Sequence, residues 1–130
     1  MAKKLTRGVR NNNPFNIRYS ANNNWQGKIF PPFKKDNQFE EFLSVNYGLR
    51  AGVKLLMRYW RIYKLCSVHS IIRRFAPDNE NNTSQYINYI VSKLGFDYFT
   101  TDDQFLKLCC EIAFYESKYK VLPNKLRLYL

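Results

Sequence analysis

Apolar residues recur at helical spacing from about residue 44 to the end of the chain. A spacing of three or four residues places side chains on one face of an α-helix. We therefore predict a first long helix that begins near Asn46. Its inner face is formed by Leu49, Val53, Leu56, Trp60 and Tyr63.

Two further helices are predicted from their stripes and end signals. One covers residues 67–75 and stops at Ala76, because Pro77 disfavours helical geometry in the residue before it. The next has Thr83 as its N-cap and Gly95 at its end. Its inner stripe is Ile87, Ile90, Val91 and Leu94.

The last long helix is predicted to begin at Thr101. Its hydroxyl can cap the helix, and Asp102 and Asp103 favour the positive end of the helix dipole. The buried stripe is Phe105, Leu108, Cys109, Ile112 and Ala113. Three residues further along the same face, the stripe reaches Glu116.

The N-terminal third has a different pattern. Residues 1–13 are basic and Asn-rich and are expected to form a loop, and short β-type runs follow at 15–20 and 38–43. We therefore expect one α+β domain over 1–130, mainly α, with a small β-lobe at 14–43 and a helical lobe at 44–130.

Composition adds a strong positive charge. The 130 residues carry 21 Lys and Arg against 10 Asp and Glu, a formal charge of +11, and 17% are aromatic. This predicts attraction to a polyanion, either nucleic acid or the bacterial wall with its peptide carboxylates. A merely soluble basic surface is the alternative.

Targeting and cofactor signals are not found in the sequence. No apolar run follows the basic start, so we expect no signal peptide, and no stretch is long enough to span a membrane. Three cysteines, two of them adjacent, do not form a disulfide framework or a zinc-ligand pattern. We expect no metal and no organic cofactor.

Glu116 is the candidate for chemistry, because it continues an apolar face. Desolvation raises a carboxyl pKa, and a protonated Glu is the general acid that glycoside cleavage requires. Alternatively, the helix ends near Tyr115 and Glu116 faces water. A second carboxylate would come from Asp36, Glu40 or Glu41 in the β-lobe.

A thiol–imidazole pair is the other catalytic arrangement that the chain offers. Cys66 lies three residues before His69, the only histidine, but no third group that would orient the imidazole is identifiable. The alternative is a surface or capping histidine beside a buried thiol.

Several segments carry a resemblance to a known group of proteins. Residues 7–18, RGVRNNNPFNIR, are followed by WQG at 25–27, by 39–42 and 47–51, and by Ala76-Pro77 and 80–83 leading to Tyr86. This pattern resembles small phage and prophage virion-associated proteins with an RGIRNNNPGNIR-type N-terminus. Phe15 departs from it, since those proteins usually carry glycine there.

The end of the last helix carries a second resemblance. Residues 112–119, IAFYESKY, are similar to the end of the catalytic helix in lysozyme-like lytic transglycosylases and glucosaminidases. In glucosaminidases, strings like Asn13–Arg18 and Trp25–Gly27 follow that helix, whereas here they precede it. We infer a circularly permuted lysozyme-like domain, which is plausible because domain termini often lie close together.

The resemblance implies a peptidoglycan-degrading glycosidase of lytic transglycosylase or muramidase type. It implies cleavage of the β-1,4 bond between N-acetylmuramic acid and N-acetylglucosamine, with Glu116 as general acid and base. The implied substrate-binding residues are Asn13, Asn16, Arg18, Trp25, Gln26 and Tyr86.

The implied setting is the cell wall or periplasm. The protein would be a monomer made in the cytoplasm and delivered by a phage particle, lysis or a secretion machine, with virion or secretion-apparatus proteins as further partners. The rival readings are a basic nucleic-acid-binding protein and a virion or wall-binding structural protein without activity.

Overall fold

The structure, a computed structural model, describes residues 4–78 and 82–130. It is mainly helical. The α-helices are α1 (Arg7–Arg10), α2 (Val45–Met57), α3 (Val68–Phe75), α4 (Thr83–Leu94), α5 (Asp102–Ser117) and α6 (Pro123–Leu126). A π-helical segment, Arg58–Ile62, continues α2, and a 3-10 turn, Arg127–Tyr129, follows α6.

Local signals in the sequence set most helix ends. The Ser67 and Thr101 hydroxyls accept from the third backbone N–H of α3 and α5, and in both helices the third residue returns a bond to the cap. Gly95 ends α4 in the left-handed conformation. These ends confirm the predicted start of α5, the predicted extent of α3 and the predicted end of α4.

The inner face of α5 forms the centre of the core. Phe105, Leu108, Cys109, Ile112 and Ala113 are fully buried, as predicted. Trp60 stacks on Phe105 with ring centroids 4.9 Å apart, which joins the π-helical segment to α5. The core therefore continues without a break from α2 to the end of α5.

Residues 14–43 form an irregular lobe rather than strands. Within 4–78 and 82–130, β structure is limited to isolated bridges, and two of these, Arg18 with Phe39 and Lys28 with Phe42, lie in the lobe. The predicted β-runs at 15–20 and 38–43 do lie side by side, but each is too irregular to form a ladder.

Side chains hold the lobe together where ladders are lacking. Lys28 and Glu40 have fully buried side chains and form an ion pair at 3.0 Å. Lys28 Nζ also donates to the carbonyl oxygens of Ser20 and Asn23, each at 2.8 Å. Asn13 is fully buried, and its amide bonds the backbone of Ile17 and Glu40.

Three sequence expectations about the helices and their ends are wrong. The 1–13 segment, described from residue 4, contains the helix α1, which Thr6 caps through its hydroxyl. Asn82 rather than Thr83 caps α4, because the Asn82 side chain accepts from Gln85 N. Tyr63 is 45% exposed, since the wider π-helical turn moves it off the inner stripe of α2.

Close approach of α2 to the Asn-rich segment requires a glycine. A Cβ placed on Gly48 would meet the backbone oxygen of Asn12 at 1.9 Å. The Asn12 side chain in turn donates to the Phe42 carbonyl oxygen at 3.0 Å. The segment is therefore fixed between the lobe and α2. No described helix is long and apolar enough to cross a membrane.

The buried ion pair gives a test of what stabilises the lobe. Glu40→Gln leaves the Lys28 charge buried without its counter-ion, which should lower the free energy of unfolding by about 3–5 kcal/mol. Asp103→Asn, which breaks the exposed pair with Arg127, should change it far less. Urea unfolding of the two variants makes the comparison, and equal losses would contradict a special role for the buried pair.

Candidate active site

Glu116 lies in the last turn of α5, which extends through Ser117. Lys118 caps the helix in the left-handed conformation, and its N–H donates to the Phe114 carbonyl oxygen. The Glu116 side chain is partly buried. The alternative in which the helix stops at Tyr115 is therefore wrong, and the carboxyl group lies near the negative end of the helix dipole.

The Asn-rich segment lies against this end of α5. Asn16 Nδ2 donates to the Glu116 backbone oxygen at 3.1 Å and to its carboxyl oxygen Oε1 at 3.2 Å. Thr6 Oγ1 donates to the Ser117 carbonyl oxygen at 2.8 Å. Asn16 has a φ of 52°, a left-handed conformation that asparagine tolerates better than most residues.

Tyr86 is another predicted residue that acts on Glu116. It lies on α4, and its ring stacks on the ring of Tyr115 with centroids 3.8 Å apart. Its hydroxyl is buried and makes no hydrogen bond of standard geometry with a described residue. It nevertheless interacts with the Glu116 carboxylate, and burial together with that negative charge raises the Tyr86 pKa well above its ordinary value.

The pKa of Glu116 is raised above its ordinary value of 4.5, with burial as the main cause. Interaction with the Tyr86 hydroxyl, the hydrogen bond from Asn16 and the charge of Arg18 oppose the rise. Burial outweighs these three effects, so the protonated carboxyl persists to higher pH than in an exposed glutamate.

The Glu116 carboxyl faces a cleft between the lobe and the helices. The cavity measures about 240 Å³. The lobe side is lined by Asn16, Ile17, Arg18, Asn23 and Phe39, and the helical side by Leu55, Tyr59, Phe75 and Ala76. Among the described residues that line it, Glu116 is the only carboxylate.

The other candidate carboxylates form hydrogen bonds and ion pairs that stabilise the lobe. Asp36 accepts two bonds from the Arg7 guanidinium and one from Asn11, and the Arg7 contact above all holds the Asp36 pKa far below its usual range. Glu41 accepts the backbone N–H groups of Lys35 and Asp36. With Glu40 paired to Lys28, none of the three lines the cleft.

The remaining predicted substrate-binding residues lie elsewhere. Asn13 does not line the cleft, because its buried amide is bonded to the lobe backbone. Trp25 lines a neighbouring groove rather than the cleft, and Gln26 is exposed. Glu80 and Asn81 of the 80–83 segment lie outside the described residues.

Three aromatic residues of the cleft were not singled out by the sequence analysis. Phe39 lies beside Arg7 and Arg18, whose guanidinium carbons are 4.6 and 5.0 Å from its ring centroid. Tyr59 and Phe75 lie near the ends of helical segments and off the buried stripes. Tyr59 and Phe75 could have been noticed as aromatic residues of helical segments that do not belong to a buried stripe.

The thiol–imidazole arrangement gains an orienting group but no contact between its two members. His69 Nδ1 contacts Asp97 Oδ2 at 3.1 Å on the surface, and no hydrogen bond joins His69 to Cys66 among the described residues. The histidine lies on the surface, as the alternative predicted, but the thiol beside it is exposed and not buried. Burial raises the pKa of the Cys110 thiol to about 12 and also raises that of Cys109, which favours inert thiols. Within 4–78 and 82–130, no cluster of His, Cys, Asp and Glu could hold a metal ion.

Comparison with known proteins links the chain to a phage. Over 92 residues it is 42% identical to Protein P5 of Pseudoalteromonas phage PM2. The chain is homologous to this phage protein. The matched region covers 71% of the chain but 58% of the phage protein, so the chain spans little more than half of its relative. No protein-family model matches the chain.

Titration of Glu116 tests the electrostatics of the site. We expect a carboxyl ¹³C NMR midpoint above 4.5, and both Arg18→Gln and Tyr86→Phe should move it further upward, because each removes a group that stabilises the anion. Lys107→Gln is the control. Lys107 lies nine positions earlier on α5, or about 13 Å along the axis. This is farther than the screening length of about 10 Å in 0.1 M salt, so its charge should hardly affect Glu116. A midpoint at or below 4.5 would contradict the conclusion that burial outweighs the effects of Tyr86, Asn16 and Arg18 on the Glu116 pKa.

Proposed function

We propose that this chain cleaves the β-1,4 bond between N-acetylmuramic acid and N-acetylglucosamine in peptidoglycan. The observation that carries the proposal is the partly buried Glu116, whose raised pKa and position in a cleft suit a general acid. Its contact with Asn16 fixes the carboxyl at the cleft wall.

Glu116 would act twice in the reaction. It first donates its proton to the bridging oxygen as the bond from that oxygen to the muramyl C1 breaks. The resulting carboxylate then takes the proton of the muramyl 6-hydroxyl as that oxygen bonds to C1, which restores the acid and gives an anhydro end. Tyr86 and Asn16 are placed to stabilise the carboxylate between the two steps.

The transglycosylase route is favoured over hydrolysis by the carboxylates. A second carboxylate usually activates water or stabilises the oxocarbenium-like sugar in glycosidases. Asp36, Glu40 and Glu41 are bonded within the lobe, and Glu116 alone contributes a carboxylate to the cleft among the described residues. An internal hydroxyl nucleophile needs only the one acid and base.

The cleft lining is suited to a sugar chain. Phe39, Tyr59 and Phe75 provide apolar ring surface, and Arg18 and Asn16 provide donors for hydroxyl or carboxylate oxygens. A cleft of this mixed character is typical of carbohydrate sites, in which rings stack on sugar faces while a few polar groups set orientation.

The lysozyme-like, circularly permuted fold is part of the same proposal. The contacts between residues 13–18 and the end of α5 support it, because they unite the segments that resemble the two halves of that site. The phage homologue supports delivery to the wall by a virus particle or on lysis. Action in the wall or periplasm as a monomer belongs to this proposal.

Digestion of purified sacculi is the direct test. The wild type should release muropeptides with anhydro ends, detected by mass spectrometry, and Glu116→Gln should lower the rate by about 10²–10⁴-fold, the usual contribution of a general acid. Glu111→Gln is the matched control, since Glu111 lies on the same helix and lines a different cavity. It should stay active.

The pH dependence follows from the direction of the Glu116 shift. Because only the protonated acid starts the reaction and its pKa is raised, activity should persist above 4.5 and fall as the pH rises through the folded-state pKa. Reducing ends instead of anhydro ends would indicate a muramidase. No release by the wild type, or equal release by Glu116→Gln, would overturn the proposal.

A further inference from the structure

A second groove adjoins the Glu116 cleft at Leu55. Its cavity measures about 490 Å³, and Leu55 lines both cavities. The groove is lined by the apolar side chains of Trp25, Leu55, Met57 and Ile62 and by the cations Arg50, Lys54, Arg58 and Arg61. It therefore combines apolar side chains with one sign of charge.

The cations form a stripe on a single helix face. Arg50 and Lys54 are four residues apart in α2, and Arg58, a further four along, begins the π-helical segment. Within 4–78 and 82–130, none of the three has a carboxylate partner, whereas Arg61 beyond them pairs with Asp102 at 3.0 Å. Like charges at this spacing destabilise a helix, so a bound anion would offset a cost that the free protein carries.

The apolar part of the lining also offers contacts to a ligand. Ile62 is 63% exposed, whereas Leu55 and Met57 pack against the core. The Trp25 indole Nε1 is buried and has no hydrogen-bond partner among the described residues. A ligand with small apolar groups between its carboxylates would match both the cations and the apolar side chains of this lining.

We propose that this groove binds the acidic peptide stems of the glycan strand that is cleaved at Glu116, an inference that rests on the proposed function. Those stems alternate alanine methyl groups with carboxylates, and each is attached to a muramyl residue. Because the groove and the cleft meet at Leu55, a strand in the cleft can place a neighbouring stem against Arg50, Lys54 and Arg58.

Binding without cleavage tests the groove separately from the chemistry. All proteins carry Glu116→Gln, and the probes are sacculi freed of covalently attached anionic polymers and the same strands after an amidase has removed the peptides. The parent should bind intact sacculi at least about tenfold more tightly than stripped strands. Lys54→Gln with Arg58→Gln should abolish that difference and leave binding to stripped strands unchanged.

Matched variants make the result specific. Lys107→Gln with Lys125→Gln removes the same charge from exposed positions on α5 and α6 and should keep the preference. Lys54→Arg with Arg58→Lys keeps the charge and should also keep the preference for intact sacculi over stripped strands. Equal binding of the two probes by the parent, or equal losses in both neutralised pairs, would overturn the proposal.

The outcomes also separate this inference from the proposed function. Sacculus digestion by the wild type without any peptide preference would leave the enzyme standing and overturn the groove. Peptide-dependent binding without digestion would retain the groove as a wall-binding site and overturn the enzyme. If Lys54→Gln with Arg58→Gln weakens binding to duplex DNA but not to sacculi, the groove binds nucleic acid and the proposal fails.

Discussion

The end of α5 is the point on which the rest of the structure depends. A helix C-terminus leaves its last carbonyl groups without partners. Here Asn16 fills one of these positions at the Glu116 carbonyl and Thr6 fills another at Ser117. Because the same Asn16 amide also bonds the Glu116 carboxyl, capping the helix and orienting the acid are one interaction.

This arrangement requires the Asn-rich segment to be rigid without strands. Asn13 supplies its own side chain as a substitute for ladder bonds, and the buried pair of Lys28 and Glu40 fixes the next turn of the lobe. Gly48 allows α2 to approach Asn12 closely. Packing of α2 and the lobe therefore determines where Asn16 meets α5, although neither element carries the acid.

The sequence predicted those features that depend on local rules. Capping residues such as Ser67 and Thr101 act on their own helix, so they were readable without knowing the fold, and the period of the α5 stripe pointed to Glu116. The lobe was not readable in the same way. Its stability comes from buried polar contacts between residues far apart in the chain, which leave no periodic signal.

The same distinction explains which predicted site residues line the cleft. Asn16 and Arg18, which line it, belong to a short string that resembles a known pattern, whereas Asn13 belongs to that string for a structural reason. Trp25 lines the neighbouring groove instead of the cleft, because a resemblance orders residues along a chain and does not place them in space. Phe39, Tyr59 and Phe75 meet only once the lobe has folded onto the helices.

The strong positive charge of the chain and the raised pKa of Glu116 pull in opposite directions. A formal charge of +11 favours the ionised carboxylate, yet Arg18 is the one described cation that acts appreciably on it. Exposed charges beyond about 10 Å are screened at moderate salt, whereas desolvation acts on the carboxyl at contact distance. The molecule can therefore attract an anionic polymer over its surface while burial still raises the pKa of the Glu116 carboxyl in the cleft.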